Sequence, residues 1–234
     1  MAWPRHPPAT NSVTEPVFVD IHTHSRAAGP ALRIVNSDPD SFARDALTEP
    51  RLSLGLHPWQ TAAPDIETRL DWIEQHASHP HVVALGECGL DRLRGAAPAI
   101  QEQCFVRHIA VAESLGKPLI IHCVRAFNEL IRLKQDHRIS VPVIVHGFNN
   151  RGQVARQLLR HGFWLSFGAA LLMPGSAAAK ALVEAPGDRF FLETDDSNVD
   201  INEVYLAAAQ LRQTEVLTLK ELMMENFRRV FGDE

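Results

Sequence analysis

The chain has 234 residues, 45% of them hydrophobic, enough to bury one large core and too few for two full domains. A net charge of −5 argues against binding nucleic acid through a broad basic surface, because such affinity comes from lysine and arginine neutralising phosphates. Three cysteines at unpatterned spacing, Cys88, Cys104 and Cys123, leave at least one thiol unpaired, and with no secretory signal in view the expected compartment is the cytoplasm.

Residues 1–16 carry four prolines and no apolar stretch between Ala2 and Glu15, so they read as a disordered tail, not as a signal peptide or membrane span. From residue 17 to 234 the chain reads as a single domain. Eight short apolar runs follow, at 17–21, 32–36, 52–56, 82–86, 118–121, 141–145, 163–167 and 190–193. Between them lie stretches of helical periodicity at 65–79, 99–116, 126–135, 151–160, 176–184 and 202–212, with a last one at 218–231. Strands alternating with helices predict a parallel sheet with crossover helices, and eight strands predict an α/β fold of the TIM-type (β/α)8 barrel class. Only about ten residues, including Ala28-Gly29-Pro30, separate the first two runs, which predicts a reduced or missing first crossover helix. Thr218 with Glu221 three residues later predicts a capping box opening the last helix, and Gly232 a stop.

The chemistry sits at the ends of the runs. His22 and His24 follow the first run one residue apart, so strand period two points both imidazoles to one side. Glu87 ends the fourth run, His122 the fifth, His146 the sixth and Asp195 the eighth. In a parallel barrel these carboxyl ends converge on one face, where enzymes of this fold keep their active sites. Four imidazoles and two carboxylates crowded after buried strands would be costly to bury without a cation. They suit Zn²⁺, Mn²⁺ or Fe²⁺ better than Mg²⁺, which prefers oxygen. Six ligands exceed the needs of one tetrahedral ion, so the pattern predicts two divalent metal ions, with Glu87 as the bridging carboxylate. Asp195 is expected to ligate and also to accept a proton from the activated water, which makes Asp195 and Glu87 the candidate catalytic pair.

Asp20 shares the strand parity of His22, and Glu193 that of Asp195, so each is expected one layer below the ligands, holding a ligand histidine in one tautomer. His57, ending the third run, is expected to hydrogen-bond substrate. Arg26, Arg92, Arg94, Arg125 and Arg151 all follow strand ends, and guanidinium groups there suit a phosphate-bearing substrate, with Arg92 and Arg125 the foremost candidates. The other histidines fall away from the predicted mouth, and Cys88 and Cys123 lack a neighbouring base, so no chemistry is assigned to them.

Taken together, Asp20-Ile-His-Thr-His24, Gly55-Leu-His-Pro58, Gly86-Glu-Cys-Gly-Leu-Asp91, Pro118-Leu-Ile-Ile-His122 with Arg125, His146-Gly-Phe148, Glu193-Thr-Asp195 and Asn226-Phe-Arg-Arg-Val-Phe231 resemble the TatD family of metal-dependent deoxyribonucleases, within the amidohydrolase-like superfamily. The resemblance implies that His22, His24, Glu87 and Asp195 hold one metal and that Glu87, His122 and His146 hold the other. It also implies divalent-metal hydrolysis of phosphodiester bonds, often in DNA. Three departures stand out: the short segment between His24 and His57, Arg92 where an aromatic is common, and Asp196-Ser197 after Glu-Thr-Asp. The expected substrate is DNA or another phosphodiester, with no membrane and no obligate protein partner. A small ester, lactone or amide is the alternative substrate, and Glu87 in the place of a carbamylated lysine leans away from it. A non-catalytic binding protein predicts missing ligands, and none is missing.

Overall fold

The computed structural model describes residues 16–26 and 29–232, so all of the expected tail but Pro16 lies outside the described residues. Each apolar run becomes a strand: β1 (Val19–Thr23), β2 (Leu32–Ser37), β3 (Leu52–Leu54), β4 (Val82–Asp91), β5 (Leu119–Val124), β6 (Val143–Val145), β7 (Trp164–Phe167) and β8 (Phe190–Leu192). They pair in sequence order, every neighbour parallel. A parallel sheet covered on both faces must be apolar throughout. Accordingly Ile21, Leu54, Leu85, Ile120, Ile144 and Leu165 are all fully buried, each contributing roughly 1.5–3 kcal/mol of burial.

The barrel is drawn shut between β1 and β8 by a Thr23–Asp195 bridge, in which the His24 N–H donates to the Asp195 carbonyl at 3.0 Å and the Asp195 N–H to the His22 carbonyl at 2.9 Å. Lower on the seam a side chain takes over. The Tyr205 phenol donates to the Val19 carbonyl and accepts from the Val19 N–H, both at 3.0 Å, so strand groups that lack a strand partner stay bonded.

The helices are α1 (Phe42–Thr48), α2 (Ile66–His76), α3 (Pro98–Leu115), α4 (Phe127–Asp136), α5 (Gly152–Arg160), α6 (Ala177–Glu184), α7 (Ile201–Arg212) and α8 (Val216–Phe231). No helix joins β1 to β2 among the described residues, as the short spacing predicts. Three features differ from the sequence expectation. α1 carries no apolar period, because its buried residues are only Phe42 and Asp45, and a buried aspartate reads as surface. α8 starts before Thr218, with Glu215 at the N-cap, because the core-facing stripe of Val216, Leu219, Met223, Phe227 and Val230 continues the helix beyond the expected capping box. Finally, β4 and β5 run on past Glu87 and His122 to Asp91 and Val124.

The extension of β4 depends on glycine. Gly86 has φ 151° and Gly89 φ 133°, and a Cβ at these positions would lie 2.4 Å from the Ile120 carbonyl oxygen and 2.1 Å from that of His122. Only residues without a side chain let β4 bend this close to β5 on either side of Glu87.

Candidate metal centre

β1 delivers His22 to the barrel mouth and His24 just beyond it, β4 delivers Glu87, β5 His122, and the turns after β6 and β8 carry His146 and Asp195. Asp195 has φ 54°, the left-handed region that aspartate tolerates better than most residues. His22 is fully buried, Glu87 and His146 nearly so, and His24 and Asp195 face solvent at 41% and 33% exposure, so the cluster has an open side.

Four donor atoms form one ring. His22 Nε2 lies 3.4 Å from both Glu87 Oε2 and Asp195 Oδ1, and His24 Nε2 lies 3.5 and 3.6 Å from the same two oxygens. About 3.4 Å is the ligand–ligand spacing around a tetrahedral ion with bonds of about 2.1 Å. It is long for an aligned hydrogen bond. Both ring nitrogens of His22 and Nδ1 of His146 are buried without a hydrogen-bond partner among the described residues. Orphaned imidazole nitrogens facing carboxylates are costly for protein alone, and this donor set fits a divalent cation.

A second ring surrounds the other oxygen of Glu87. Its Oε1 lies 2.8 Å from His146 Nε2, 3.0 Å from His57 Nε2 and 3.1 Å from His122 Nδ1. Glu87 thus turns one oxygen to each ring, the placement of a bridging carboxylate. His57, whose expected contact was with substrate, touches Glu87 directly, and together with Glu87 and His122 it forms a group of metal-ligand type. His146 also groups with His22 and Asp195, so it stands between the two rings.

The electrostatics follow from this crowding. Burial pushes the Glu87 carboxyl up, but the charge of His146 and contacts from His122, His146 and His22 hold it well below the usual carboxylate range. Burial opposes the charge of Asp195 too, yet His22 and His146 bring it down to about 2. His22 is pushed down by burial and by His146, and Asp195 and Glu87 more than reverse this, raising it to about 9. His146 likewise rises well above the usual histidine value, burial being outweighed by Glu87 and Glu193. Without an ion, the cluster therefore keeps protons on the imidazoles that would have to leave for one to bind.

Of the two carboxylates expected beneath the ligands, Glu193 faces one: its Oε1 is 3.7 Å from His146 Nδ1 and accepts the Gly147 N–H at 2.6 Å. Asp20 does not hold a histidine. Its oxygens accept the Thr194 N–H at 3.0 Å and the Thr194 hydroxyl at 2.7 Å, and that hydroxyl also contacts Thr23 Oγ1 at 2.8 Å. The register of β1 shifts between Asp20 and Thr23, and counting by twos fails across such an irregularity.

A cavity of about 530 Å³ opens over the cluster, walled by Arg26, Asn36, Asp38, Trp59 and Gln60 among others. Arg26 is the sole arginine on its walls among the described residues. Its guanidinium is gripped by the buried Asp45 through two bonds of 2.7 Å and donates to the His24 carbonyl at 3.1 Å. The other expected arginines stand off. Arg92 is exposed and drawn into an ion pair with Glu129, Arg94 stacks 4.4 Å over the Trp59 ring, and Arg125 and Arg151 are exposed, Arg125 in a left-handed turn with φ 54°. Cys123 also lines the cavity, but burial pushes its thiol up to about 12, which makes it a poor nucleophile.

Three neighbours of the cluster escape the sequence reading. The side chain of Asn36 accepts the Glu87 N–H at 2.8 Å, Asp91 contacts His122, and Trp59 contacts Asp91. Asp91 shares the parity of Glu87 four residues earlier, a signal lost when the strand is ended at residue 86.

The chain is similar to known proteins in both sequence and structure. The family model described as "TatD related DNase" matches residues 42–232, which leaves His22 and His24 outside the matched segment. An uncharacterized metal-dependent hydrolase, YabD, of Bacillus subtilis is 31% identical over 195 residues, covering 76% of each chain. The 3'-5' ssDNA/RNA exonuclease TatD of Musicola paradisiaca is 34% identical over 145 residues, 60% of this chain and 54% of that enzyme. In structure, the TatD homolog YJJV of Escherichia coli superposes with a TM-score of 0.80 at 22% identity, covering 93% of this chain and 98% of that one.

Proposed function

The chain belongs to the TatD family of metal-dependent hydrolases, and from that premise we propose that it is a phosphodiesterase of the deoxyribonuclease type, acting through two divalent ions. The observation that carries the reading is the double ring of donors about Glu87, with Arg26 on the wall of the adjoining cavity. The match to an ssDNA/RNA exonuclease over more than half of this chain supports nucleic acid as the substrate class.

In this reading His22, His24, Glu87 and Asp195 hold one ion, and Glu87, His122 and His146 the other, of Zn²⁺ or Mn²⁺ type given four imidazoles. Bound divalent ions supply Lewis acidity to the phosphoryl group and acidify water. The chain supplies the rest. Asp195, ionised and open to the cavity, takes the proton from the attacking water at its carboxylate. Arg26 binds a non-bridging phosphoryl oxygen, its position fixed by Asp45. His57, held against Glu87 and the Trp59 ring, closes the wall on the β3 side and limits access of bulk water. Among the described residues no helix is long and apolar enough to cross a membrane.

Incubating metal-loaded protein with end-labelled single- and double-stranded DNA tests the proposal. Release of nucleotides that disappears in Glu87→Ala supports it. Absence of cleavage with each of Zn²⁺, Mn²⁺ and Mg²⁺, alongside turnover of a lactone or carboxylic ester, overturns it.

A further inference from the structure

Asn36 stands near the end of β2, opposite Ser53 of β3, and borders the cavity over the cluster. Its Oδ1 accepts the Glu87 N–H at 2.8 Å and lies 3.3 Å from the Ser53 hydroxyl. The Glu87 contact fixes which end of the carboxamide is which. A backbone N–H can only donate, so the atom facing it is the oxygen, and Nδ2 with its two hydrogens points away from it.

Those two hydrogens meet no acceptor among the described residues, yet Nδ2 is not one of the buried polar atoms left without a partner, so it is open to solvent. Other side-chain donors on the same wall are committed within the protein. The Trp59 indole gives its hydrogen to Asp91, Gln60 Nε2 donates to Asp38, and the hydroxyls of Ser37 and Ser41 donate to Asp45 and Asp38. Arg26 directs its Nε, Nη1 and Nη2 to Asp45 and the His24 carbonyl.

We propose that Asn36 is a catalytic residue: its Nδ2 donates to an anionic oxygen of the substrate as charge builds there, while its Oδ1 holds the main chain of Glu87. That this oxygen belongs to a phosphodiester rests on the function proposed above; the free donor is placed by the hydrogen-bond inventory alone. A neutral carboxamide suits the position. The wall already carries Asp38, Asp195 and Asp196, so a carboxylate in its place would repel an anion, whereas an amide aimed in advance at the reacting oxygen needs no reorientation. Its anchor matters as much as its donor. Because Asn36 is bonded to the backbone N–H of the residue that bears the central carboxylate of the cluster, the donor and Glu87 keep a fixed relation.

Two variants separate the halves of this side chain. Asn36→Asp keeps an oxygen for the Glu87 N–H and removes both donors; Asn36→Ala removes donors and acceptor without adding charge. With Zn²⁺-loaded protein at equal metal content, both are expected to lose about 10²–10³-fold in kcat on bis(4-nitrophenyl) phosphate. The side-chain amide cross-peaks of Asn36 in a ¹⁵N–¹H spectrum, assigned by their loss in either variant, are expected to move downfield when inorganic phosphate saturates the Zn²⁺-loaded wild type. Unmoved cross-peaks with phosphate bound overturn the proposal, as does wild-type kcat in Asn36→Ala; if phosphate does not bind, the rate of Asn36→Ala decides alone. A loss in Asn36→Ala with none in Asn36→Asp also overturns it, because only the hold on Glu87 then matters. If wild type cleaves a carboxylic ester or lactone and no phosphodiester, the phosphodiesterase reading fails, and a kcat loss in both variants on that ester leaves Asn36 standing as the oxyanion donor.

Discussion

Acid should destabilise this barrel through a histidine that takes no part in its chemistry. His108 on α3 is 1% exposed, and its neutral ring is fully used: Nδ1–H donates to the Cys104 carbonyl at 2.8 Å and Nε2 accepts the Leu56 N–H at 3.1 Å. A second proton would have to displace the Leu56 N–H from its acceptor. Burial accordingly pushes the pKa of His108 down from 6.5 to about 4. Because the folded value is the depressed one, the contribution is fully present above the unfolded pKa and is lost as pH falls toward the folded one. At 1.36 kcal/mol per pKa unit, the loss amounts to about 2 kcal/mol by about pH 5 and about 3 kcal/mol by about pH 4. Urea unfolding of metal-free protein across this range, compared with His108→Gln, isolates the effect. Glu87 and Asp195 titrate in both proteins and cancel in the difference. The wild-type curve should fall more steeply than that of the variant by these amounts, and parallel curves would refute the reasoning.

Other predictions follow from the same contacts. His22 and His146 hold protons near neutrality in the metal-free cluster, so loading Zn²⁺ at about pH 7 should release about two protons and affinity should weaken as pH falls; calorimetry in buffers of different ionisation enthalpy counts them, and zero release would contradict the imidazole assignment. Arg26→Gln should raise KM for a phosphodiester about 10–100-fold, the loss of a charge-assisted hydrogen bond of about 1.5–3 kcal/mol, compared with wild type at equal metal content by elemental analysis; an unchanged KM removes Arg26 from phosphate binding. Asn226 ties α8 to the start of β8 by donating to the Gly187 and Phe190 carbonyls at 2.8 and 3.0 Å, so Asn226→Ala should cost about 1–3 kcal/mol in chemical unfolding while sparing metal binding.

How much of this was legible in the sequence depended on whether a feature obeys a period. The eight apolar runs do, and each is a strand, so the barrel and the side on which strand-end residues gather could be read directly. The shortage of residues between β1 and β2 was equally plain. What escaped was set by irregularity. α1 is anchored by Phe42 and by the buried Asp45, which pairs with the solvent-exposed Arg26, instead of by an apolar stripe, so no hydrophobic pattern announces it. Asp20 was misplaced because β1 shifts register above it, and Asp91 was missed because glycines let β4 run on past the point where its apolar run stops. The arginine rim failed for a different reason: sequence position sets the face of the barrel but not the partner, and Arg92 is claimed by Glu129.

The shortened first crossover bears on the candidate metal site itself, because β1 and the residue that follows it carry two of the six candidate ligands, with no crossover helix to cover and brace them among the described residues. The seam with β8 compensates. Backbone bonds between His24 and Asp195 and between Asp195 and His22 tie three of the four members of the first ring together through the main chain. The carboxylate of Asp20 staples Thr194 to the same strand, and Tyr205 occupies the lower seam. Arg26 clamps the chain just after His24 to Asp45 of α1, the position a crossover helix would otherwise stabilise. Strand pairing therefore fixes the main chain from which His22, His24 and Asp195 reach the first ring. A barrel seamed this way keeps its candidate donors in place with no crossover helix between β1 and β2 among the described residues.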